Sequence, residues 1–135
     1  MGKAAIIYWS GTGNTQAMAE SIKQGMGDAD LFEVTQAAGI NLAEYDKIAF
    51  GCSSMGDEVL EESDFDPYFT SVEGQLSGKK IALFGSYGWG DGQWMRDWVD
   101  RCSSLGVTLF DDGLMMNGYP DTDGCVDYGK RFAAF

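Results

Sequence analysis

Residues 3–15 read Lys-Ala-Ala-Ile-Ile-Tyr-Trp-Ser-Gly-Thr-Gly-Asn-Thr and carry the main evidence for the fold. The apolar run 4–9 predicts a buried strand, and an amphipathic helix is predicted to begin at Asn14, directly after a short loop. First-turn N–H groups have no partner inside a helix, and the helix dipole favours negative charge there. Gly11 and Gly13 allow positive φ and close approach of the backbone to a ligand. The stretch therefore predicts an anion site between a strand and a helix.

The donors of this loop are uncharged. They are the hydroxyls of Ser10, Thr12 and Thr15 and the amide of Asn14. The loop lacks the lysine of a Walker A loop, and Gln16 breaks the G-x-G-x-x-G pattern of a Rossmann loop. Dipoles without a cation suit one terminal phosphate monoester better than a triphosphate. From this loop alone, an ordinary strand–helix turn with an Asn or Thr cap is an equal alternative.

The composition indicates a globular protein with an acidic surface. The 135 residues are 44% hydrophobic and 22% charged, with a formal net charge of −12. We therefore expect one domain over residues 1–135, which repels nucleic acid and favours basic partner proteins. No apolar run reaches membrane-spanning length, and the N-terminus has no cleavable signal pattern. We expect a cytoplasmic monomer that does not bind membranes.

Several common chemistries lack their residues. There is no histidine, which removes the usual general base and the commonest metal ligand. Cys52, Cys102 and Cys125 form no C-x-x-C pair. We interpret them as buried apolar side chains in a reducing compartment and predict no disulfides, no metal ligands and no catalytic residues.

Apolar strands alternate with helices along most of the chain. We predict strands at 4–9, 31–35, 47–52, 80–86 and 107–110, the last resumed at 114–116. We predict helices at 14–26, 67–76 with Asp66 as a possible cap, 93–105 and 121–135. This alternation is typical of an α/β fold with a parallel sheet covered on both faces.

Three loops rich in glycine and polar residues follow predicted strands, at 10–15, 53–62 and 86–92. In open parallel sheets, ligands bind outside the carboxyl ends of strands at a topological switch point. Trp89 lies between two glycines, so we favour an exposed ring that stacks on a planar ligand over a core position. Met55 suits the opposite face of such a ligand and the core equally well.

These loops resemble those of short-chain flavodoxins from anaerobic bacteria. The motifs are Ser-Gly-Thr-Gly-Asn-Thr at 10–15, Gly-Cys-Ser-Ser-Met-Gly-Asp-Glu-Val-Leu-Glu-Glu-Ser at 51–63 and Ala-Leu-Phe-Gly-Ser-Tyr-Gly-Trp-Gly-Asp-Gly at 82–92. The resemblance covers essentially the whole chain. It implies a three-layer flavodoxin-like fold, with a five-stranded parallel sheet in the order 2-1-3-4-5, and non-covalently bound FMN.

The resemblance also implies cofactor contacts. The first loop and Ser53 would hold the phosphate, and Met55 and Trp89 would sandwich the isoalloxazine ring. Residues 56–58 would line the N5, O4 and N3 edge, with the Glu58 carboxylate accepting from N3–H. The implied cofactor-binding residues are Ser10, Gly11, Thr12, Gly13, Asn14, Thr15, Ser53, Ser54, Met55, Gly56, Asp57, Glu58, Ser86, Tyr87, Gly88, Trp89, Gly90, Asp91 and, on the ribityl side, Asn117.

The implied function is electron transport by a low-potential one-electron carrier that replaces ferredoxin, not an enzyme. FMN would shuttle between semiquinone and hydroquinone, and the Gly56–Asp57 peptide would flip on reduction, which glycine permits. Seven carboxylates and no Lys or Arg lie between Ile48 and Gly78. Their repulsion should disfavour the anionic hydroquinone. The partners would be reductases and ferredoxin-dependent enzymes with basic docking faces.

Three alternatives fit the sequence less well. A quinone reductase on this fold needs a nicotinamide or quinone pocket, and the chain has no extra segment or basic site to build one. A phospho-acceptor domain needs an acidic cluster after its first strand, where this chain has Tyr8 and Trp9. The Cys-x5-Arg spacing of a phosphatase loop occurs at Cys125 and Arg131, but that stretch predicts a helix without converging glycines.

Overall fold

The computed structural model describes residues 3–11, 13–56 and 58–135. In this part of the chain the strands are β1 (Lys3–Trp9), β2 (Ala29–Glu33), β3 (Tyr45–Cys52), β4 (Lys80–Tyr87) and β5 (Thr108–Asn117). The α-helices are α1 (Asn14–Met26), α2 (Val34–Ala37), α3 (Phe65–Val72), α4 (Gln93–Ser103) and α5 (Thr122–Ala134), and short 3-10 helices lie at Leu42–Glu44 and Glu73–Gln75.

The strands form one parallel sheet in the order β2-β1-β3-β4-β5, which confirms the expected fold. Strand β1 pairs with β2 on one side, where Ile6 is opposite Leu31, and with β3 on the other, where Ile6 is opposite Ala49. The strand order therefore reverses beside β1. This switch point opens a crevice at the carboxyl ends of β1 and β3, where the predicted loops begin.

A separate apolar layer covers each face of the sheet. On one face, Ile7 and Phe50 from the sheet pack with Phe69 of α3 and Trp98 of α4. The layer under α1 and α5 contains Ile6, Met18, Ile22, Phe84, Tyr128 and Phe132. These two helices approach closely at Gly25, where glycine has no side chain to separate them. A Cβ added there would lie 1.9 Å from the carbonyl oxygen of Val126. The two layers hold the strand ends in a fixed arrangement.

The bounds of β2 need correction, whereas the interrupted last strand is confirmed. Strand β2 begins at Ala29, two residues before the predicted start, and ends before Val34, which begins α2 instead. The two predicted pieces at 107–110 and 114–116 belong to one strand, β5. Asp111 and Gly113 have φ values of 58° and 89°, and the pairing with β4 shifts register there. The polar residues that interrupt the apolar pattern therefore form an irregularity within the strand.

The predicted cap of α3 is wrong. Asp66 lies inside the helix, which begins at Phe65, and its carboxylate accepts a hydrogen bond from Arg101 at 2.9 Å. The carboxylate of Glu61 instead accepts from the N–H groups of Ser63 and Asp64, just before the helix, and of Phe65, its first residue. The helix begins two residues before Pro67, the predicted first residue, because Phe65 is fully buried in the core.

Candidate functional site

Three hydroxyl side chains from three different loops meet at the carboxyl edge of the sheet. Thr15 Oγ1 lies 2.7 Å from Ser53 Oγ and 2.8 Å from Ser86 Oγ. The main-chain N–H of Ser86 also donates to Thr15 Oγ1, at 3.2 Å. All three residues are buried. We call Thr15, Ser53 and Ser86 the hydroxyl cluster, and it joins the start of α1 to the ends of β3 and β4.

The N-terminus of α1 is available to an anion. Its N-cap residue, Gly13, has a φ of 97°, no side chain in the described residues caps the helix, and no acidic residue lies in the first turn. The N–H of Gly13 donates to Ser10 Oγ at 3.0 Å, which fixes the loop. Thr12 lies outside the described residues. The first-turn N–H groups therefore supply the partial positive charge that the loop's uncharged side chains lack.

The second loop begins as a tight hairpin. Met55 and Val59 exchange two main-chain hydrogen bonds of 2.9 Å, and φ is positive at Gly56 (51°) and Glu58 (58°). Asp57, between them, lies outside the described residues. The N–H of Ser54 donates to the carbonyl oxygen of Ser86 at 3.0 Å. Its buried hydroxyl has no hydrogen-bond partner among the described residues.

Glu58 ties the second loop to the third. Its Oε1 accepts from the N–H groups of Gly92, at 3.2 Å, and Gln93, at 2.9 Å, at the start of α4. Gly90 has a φ of 82°, which favours glycine, and a Cβ there would lie 2.3 Å from the Glu58 carboxyl carbon and displace the carboxylate. Both bonds use one oxygen, which leaves Oε2 as an acceptor for an N–H group of a ligand.

The third loop presents an aromatic ring at the surface. Trp89 is 56% exposed, and a Cβ at Gly88 would meet no atom within 4 Å. The preference for an exposed indole over a core position is therefore correct. Tyr87 instead packs against Trp94, with ring centroids 5.4 Å apart. Such an open, flat surface is suited to stacking on a planar heterocycle.

The remaining predicted residues lie around this rim. Met55 is half-buried, and Asn117 is exposed at the end of β5, opposite Tyr87 in the sheet register. The N–H of Gly118 donates to the carbonyl oxygen of Tyr87 at 2.9 Å. Asp91 is exposed and paired with Arg96 at 2.9 Å. The fold thus gathers the described members of the predicted set along one edge.

Two supporting residues were not predicted. Trp9 lies under the first loop, because a Cβ at Gly11 would come within 3.0 Å of its ring atom Cη2. Glu61 anchors the end of the second loop to α3. The sequence did indicate that Trp9 lies near the first loop, because Trp9 ends the apolar run two residues before Gly11. The role of Glu61 depends on the path of the loop, which its local sequence does not reveal.

The cysteines are buried and take no part in the rim chemistry. Burial raises the pKa of the Cys52 thiol, and raises the pKa of Cys102 to about 12 and that of Cys125 to about 11. They are therefore protonated at neutral pH and unreactive. Cys125 and Arg131 both lie within α5, which rules out a phosphatase loop. In residues 3–11, 13–56 and 58–135, no three His, Cys, Asp or Glu side chains are grouped to hold a metal ion.

The donor set fits a flavin mononucleotide. Uncharged hydroxyls and a helix N-terminus suit a phosphate monoester, and the exposed indole suits a flat ring. The flavodoxin family model matches residues 6–129. The chain belongs to the flavodoxin family. Flavodoxins bind FMN and transfer electrons, so membership confirms the expected cofactor and the general role in electron transport.

Individual flavodoxins match nearly the full chain. The flavodoxin of Clostridium beijerinckii is 45% identical over 134 residues, which cover 95% of this chain and 97% of that protein. The flavodoxin of Megasphaera elsdenii is 42% identical over 135 residues, covering 95% and 96%. The solution structure of the two-electron reduced Megasphaera elsdenii flavodoxin has a TM-score of 0.86 and 38% identity, with 98% of this chain and 99% of that chain covered. The predicted resemblance to the short-chain type is therefore confirmed.

None of the helices in the described part of the chain has the length and apolar character needed to cross a membrane.

Proposed function

We propose that residues 1–135 form a single FMN-binding domain that acts as a low-potential one-electron carrier and not as an enzyme. When bound, FMN supplies reversible one-electron chemistry, and the proposed working couple is that between semiquinone and hydroquinone. In this role the protein would replace ferredoxin. The observation that supports the proposal best is the position of the hydroxyl cluster and the exposed Trp89 along one rim, where they match the two chemically different ends of FMN.

The phosphate end would be held without a cation. The proposed donors are the first-turn N–H groups of α1, including that of Thr15, and the side chains of Ser10, Thr12, Asn14 and Ser53. Gly11 and Gly13 allow the backbone to approach. Loops 10–15, 53–62 and 86–92 contain no Lys or Arg. The negative charge of the phosphate would therefore remain uncompensated by any side chain of the site.

The ring end would be held by stacking and by main-chain groups. Met55 and Trp89 would cover the two ring faces, and residues 56–58 would line the N5 to N3 edge. Glu58 Oε2 is the proposed acceptor for N3–H, since Oε1 already accepts from α4. The N–H groups of residues 88–90 would face O2 and N1. The wider proposed set includes Ser54, Tyr87, Asp91 and, on the ribityl side, Asn117, with Ser86 beside Thr15 and Ser53 in the hydroxyl cluster.

Charge is distributed unevenly between the two ends of the molecule. In a parallel α/β sheet, strand amino ends and helix carboxyl ends share the edge opposite the site. Lys3 and Lys80 begin strands, Lys23 lies in the last turn of α1, and Lys47 donates to the carbonyl oxygen of Ala133 at the end of α5. Asp28, Asp30 and Asp46 lie among these lysines and offset part of their charge. The cofactor rim carries Glu58 and Asp121 in the loops after β3 and β5, and Asp91, paired with Arg96, in the loop after β4.

This distribution supports partners with basic docking faces. A positive face would be attracted to the rim, which would orient the encounter towards the cofactor. We propose reductases and ferredoxin-dependent enzymes as the partners, and a monomeric protein that acts in the cytoplasm.

The direct test is titration of the flavin-free protein with FMN. We expect bound flavin with quenched fluorescence and, on anaerobic photoreduction, an intermediate spectrum between the oxidised and fully reduced protein. A protein that stays colourless with excess FMN would overturn the proposal. Steady oxidation of NADH by the FMN-loaded protein alone would show a reductase instead of a carrier.

A further inference from the structure

We propose that Ser86 is a positioning residue, whose hydroxyl starts a directed chain of hydrogen bonds, Ser86 to Thr15 to Ser53, that leaves the Ser53 proton for the phosphate of the cofactor. The inference rests on the proposed FMN function and concerns how the phosphate is recognised. It assigns Ser86 an action through its two neighbours, in place of a direct contact with the cofactor.

The argument begins with the hydrogen bonds that Thr15 Oγ1 can make. A hydroxyl has one proton to donate and two lone pairs that accept. The main-chain N–H of Ser86 occupies one lone pair of Thr15 Oγ1, at 3.2 Å, and can only donate. One lone pair and one proton remain for the contacts at 2.7 Å to Ser53 and 2.8 Å to Ser86. Thr15 must therefore accept from one of these serines and donate to the other.

Two proton arrangements satisfy this condition. In the first, Ser86 donates to Thr15, Thr15 donates to Ser53, and the Ser53 proton is left to point outwards. In the second, Ser53 donates to Thr15 and Thr15 to Ser86, which leaves only the Ser86 proton. In the second arrangement the remaining Ser86 proton faces Ser53 Oγ, which lies 3.5 Å from Ser86 Oγ, so a hydrogen bond between these two serines would be weak.

A phosphate beside Ser53 selects the first arrangement. Ser53 then offers a proton to the anion, whereas the second arrangement would turn an oxygen lone pair towards it. Successive hydroxyl donors also polarise one another, which strengthens the last donor of the chain. The direction of the Ser53 proton matters because no Lys or Arg in the three loops supplies the attraction instead. Ser86, which is buried at the start of the chain of donors, sets that direction.

The test compares FMN with riboflavin, which lacks the phosphate. We expect Ser86→Ala to raise the dissociation constant of FMN about 5- to 10-fold, the size of one lost neutral hydrogen bond, and to leave that of riboflavin unchanged. A merely structural role would weaken both ligands equally. Ser21→Ala is the matched control, because Ser21 is also a buried serine but lies on α1 away from the cluster. It should leave the ratio of the two constants unchanged.

A double-mutant cycle tests whether Ser86 acts through Ser53. If it does, adding Ser86→Ala to Ser53→Ala should change the ratio by less than 2-fold. Additive effects would overturn the inference, because they would indicate direct contact with the phosphate. An unchanged ratio in the single Ser86→Ala variant would also overturn it.

If Ser86→Ala fails to fold, Ser86→Cys keeps the size of the side chain with a weaker donor and should also lower the preference for FMN over riboflavin. An unchanged preference would again overturn the inference. Failure of the unsubstituted protein to bind FMN would instead refute the proposed function.

Discussion

The carboxylate of Glu61 accepts the main-chain N–H of Phe65 at 2.8 Å and so connects the end of the second loop to the start of α3. The N–H groups of Ser63 and Asp64 donate to the same carboxylate, each at 2.7 Å. Glu61 is only 8% exposed. Burial by itself would raise the pKa of Glu61, but the three N–H donors outweigh it and hold the pKa below its ordinary value. The ionised carboxylate therefore stabilises the fold beside the site.

We predict that Glu61→Gln lowers the free energy of unfolding by about 1 to 3 kcal/mol at neutral pH, because a charged acceptor is replaced by a neutral amide. A lowered folded-state pKa gives stability above the ordinary value of 4.5, which is lost as the pH falls through the folded-state pKa. The difference between the variant and the unsubstituted protein should therefore shrink below pH 4.5. Urea unfolding at a series of pH values measures it.

The control for this prediction is Glu62→Gln, which removes the same charge from an exposed neighbour. We expect this variant to change the free energy of unfolding by less than about 0.5 kcal/mol. A Glu61→Gln effect of the same size at pH 3 and pH 7 would show that the lost contacts do not depend on ionisation.

Stacking by Trp89 can be measured separately from the phosphate contacts. We predict that Trp89→Ala raises the dissociation constant of FMN about 5- to 150-fold, which corresponds to about 1 to 3 kcal/mol of base–aromatic stacking. Trp89→Phe should have a smaller effect because a flat ring remains. Titration followed by flavin fluorescence measures both. Tyr119→Ala is the comparison, since Tyr119 is an exposed aromatic residue, 87% accessible, outside the proposed contacts. Equal losses in the Trp89 and Tyr119 variants would argue against stacking.

The parts of the site that sequence predicted are those with local signals. Gly11 and Gly13 between hydroxyl residues indicate a loop that approaches a ligand, and Trp89 between glycines indicates an exposed ring. The contact between Thr15 and Ser53 joins residues 38 positions apart in the chain. It depends on how β1 and β3 align in the sheet, and no local pattern sets that alignment.

The start of α3 was mispredicted for a related reason. Asp66 before Pro67 is a common capping pattern, and it favoured a helix that begins at the proline. The buried side chain of Phe65 places the start of the helix two residues before Pro67, and the Glu61 carboxylate accepts the N–H of Phe65 there. Tertiary packing therefore overrode the local signal, as it did at β2, where pairing with β1 set the boundaries.

Gly56 lies at the tip of the second loop with a φ of 51°, and a Cβ there would meet only a Val59 methyl, at 3.9 Å. Space is therefore available, and any penalty for a side chain comes from the backbone. If the peptide after Gly56 flips on reduction, a β-branched residue should restrict it. We predict that Gly56→Val lowers the fraction of one-electron-reduced protein during anaerobic photoreduction. Gly56→Asn should lower it less, because asparagine tolerates positive φ. An unchanged fraction in the valine variant would contradict the flip.

The last prediction concerns the charge around the cofactor. The seven carboxylates between Ile48 and Gly78 are not equivalent. Arg101 pairs with Asp66 at 2.9 Å and with Glu73 at 2.8 Å, which compensates part of their charge. The repulsion should therefore come mainly from the unpaired acidic residues of the second loop, among which Glu62 is exposed and outside the proposed contacts.

We expect the semiquinone/hydroquinone potential of the protein to lie below the same potential of free FMN. Glu62→Gln should raise it. A charge roughly 10 Å from the ring contributes about 0.4 kcal/mol in water, which corresponds to about 18 mV for a one-electron couple. Anaerobic potentiometry measures the shift, which should shrink as added salt screens it. Asp28→Asn, at the opposite edge beside the lysines, removes the same charge at a greater distance and should shift the potential much less. Equal shifts in the two variants would mean that net charge matters and its position near the cofactor does not.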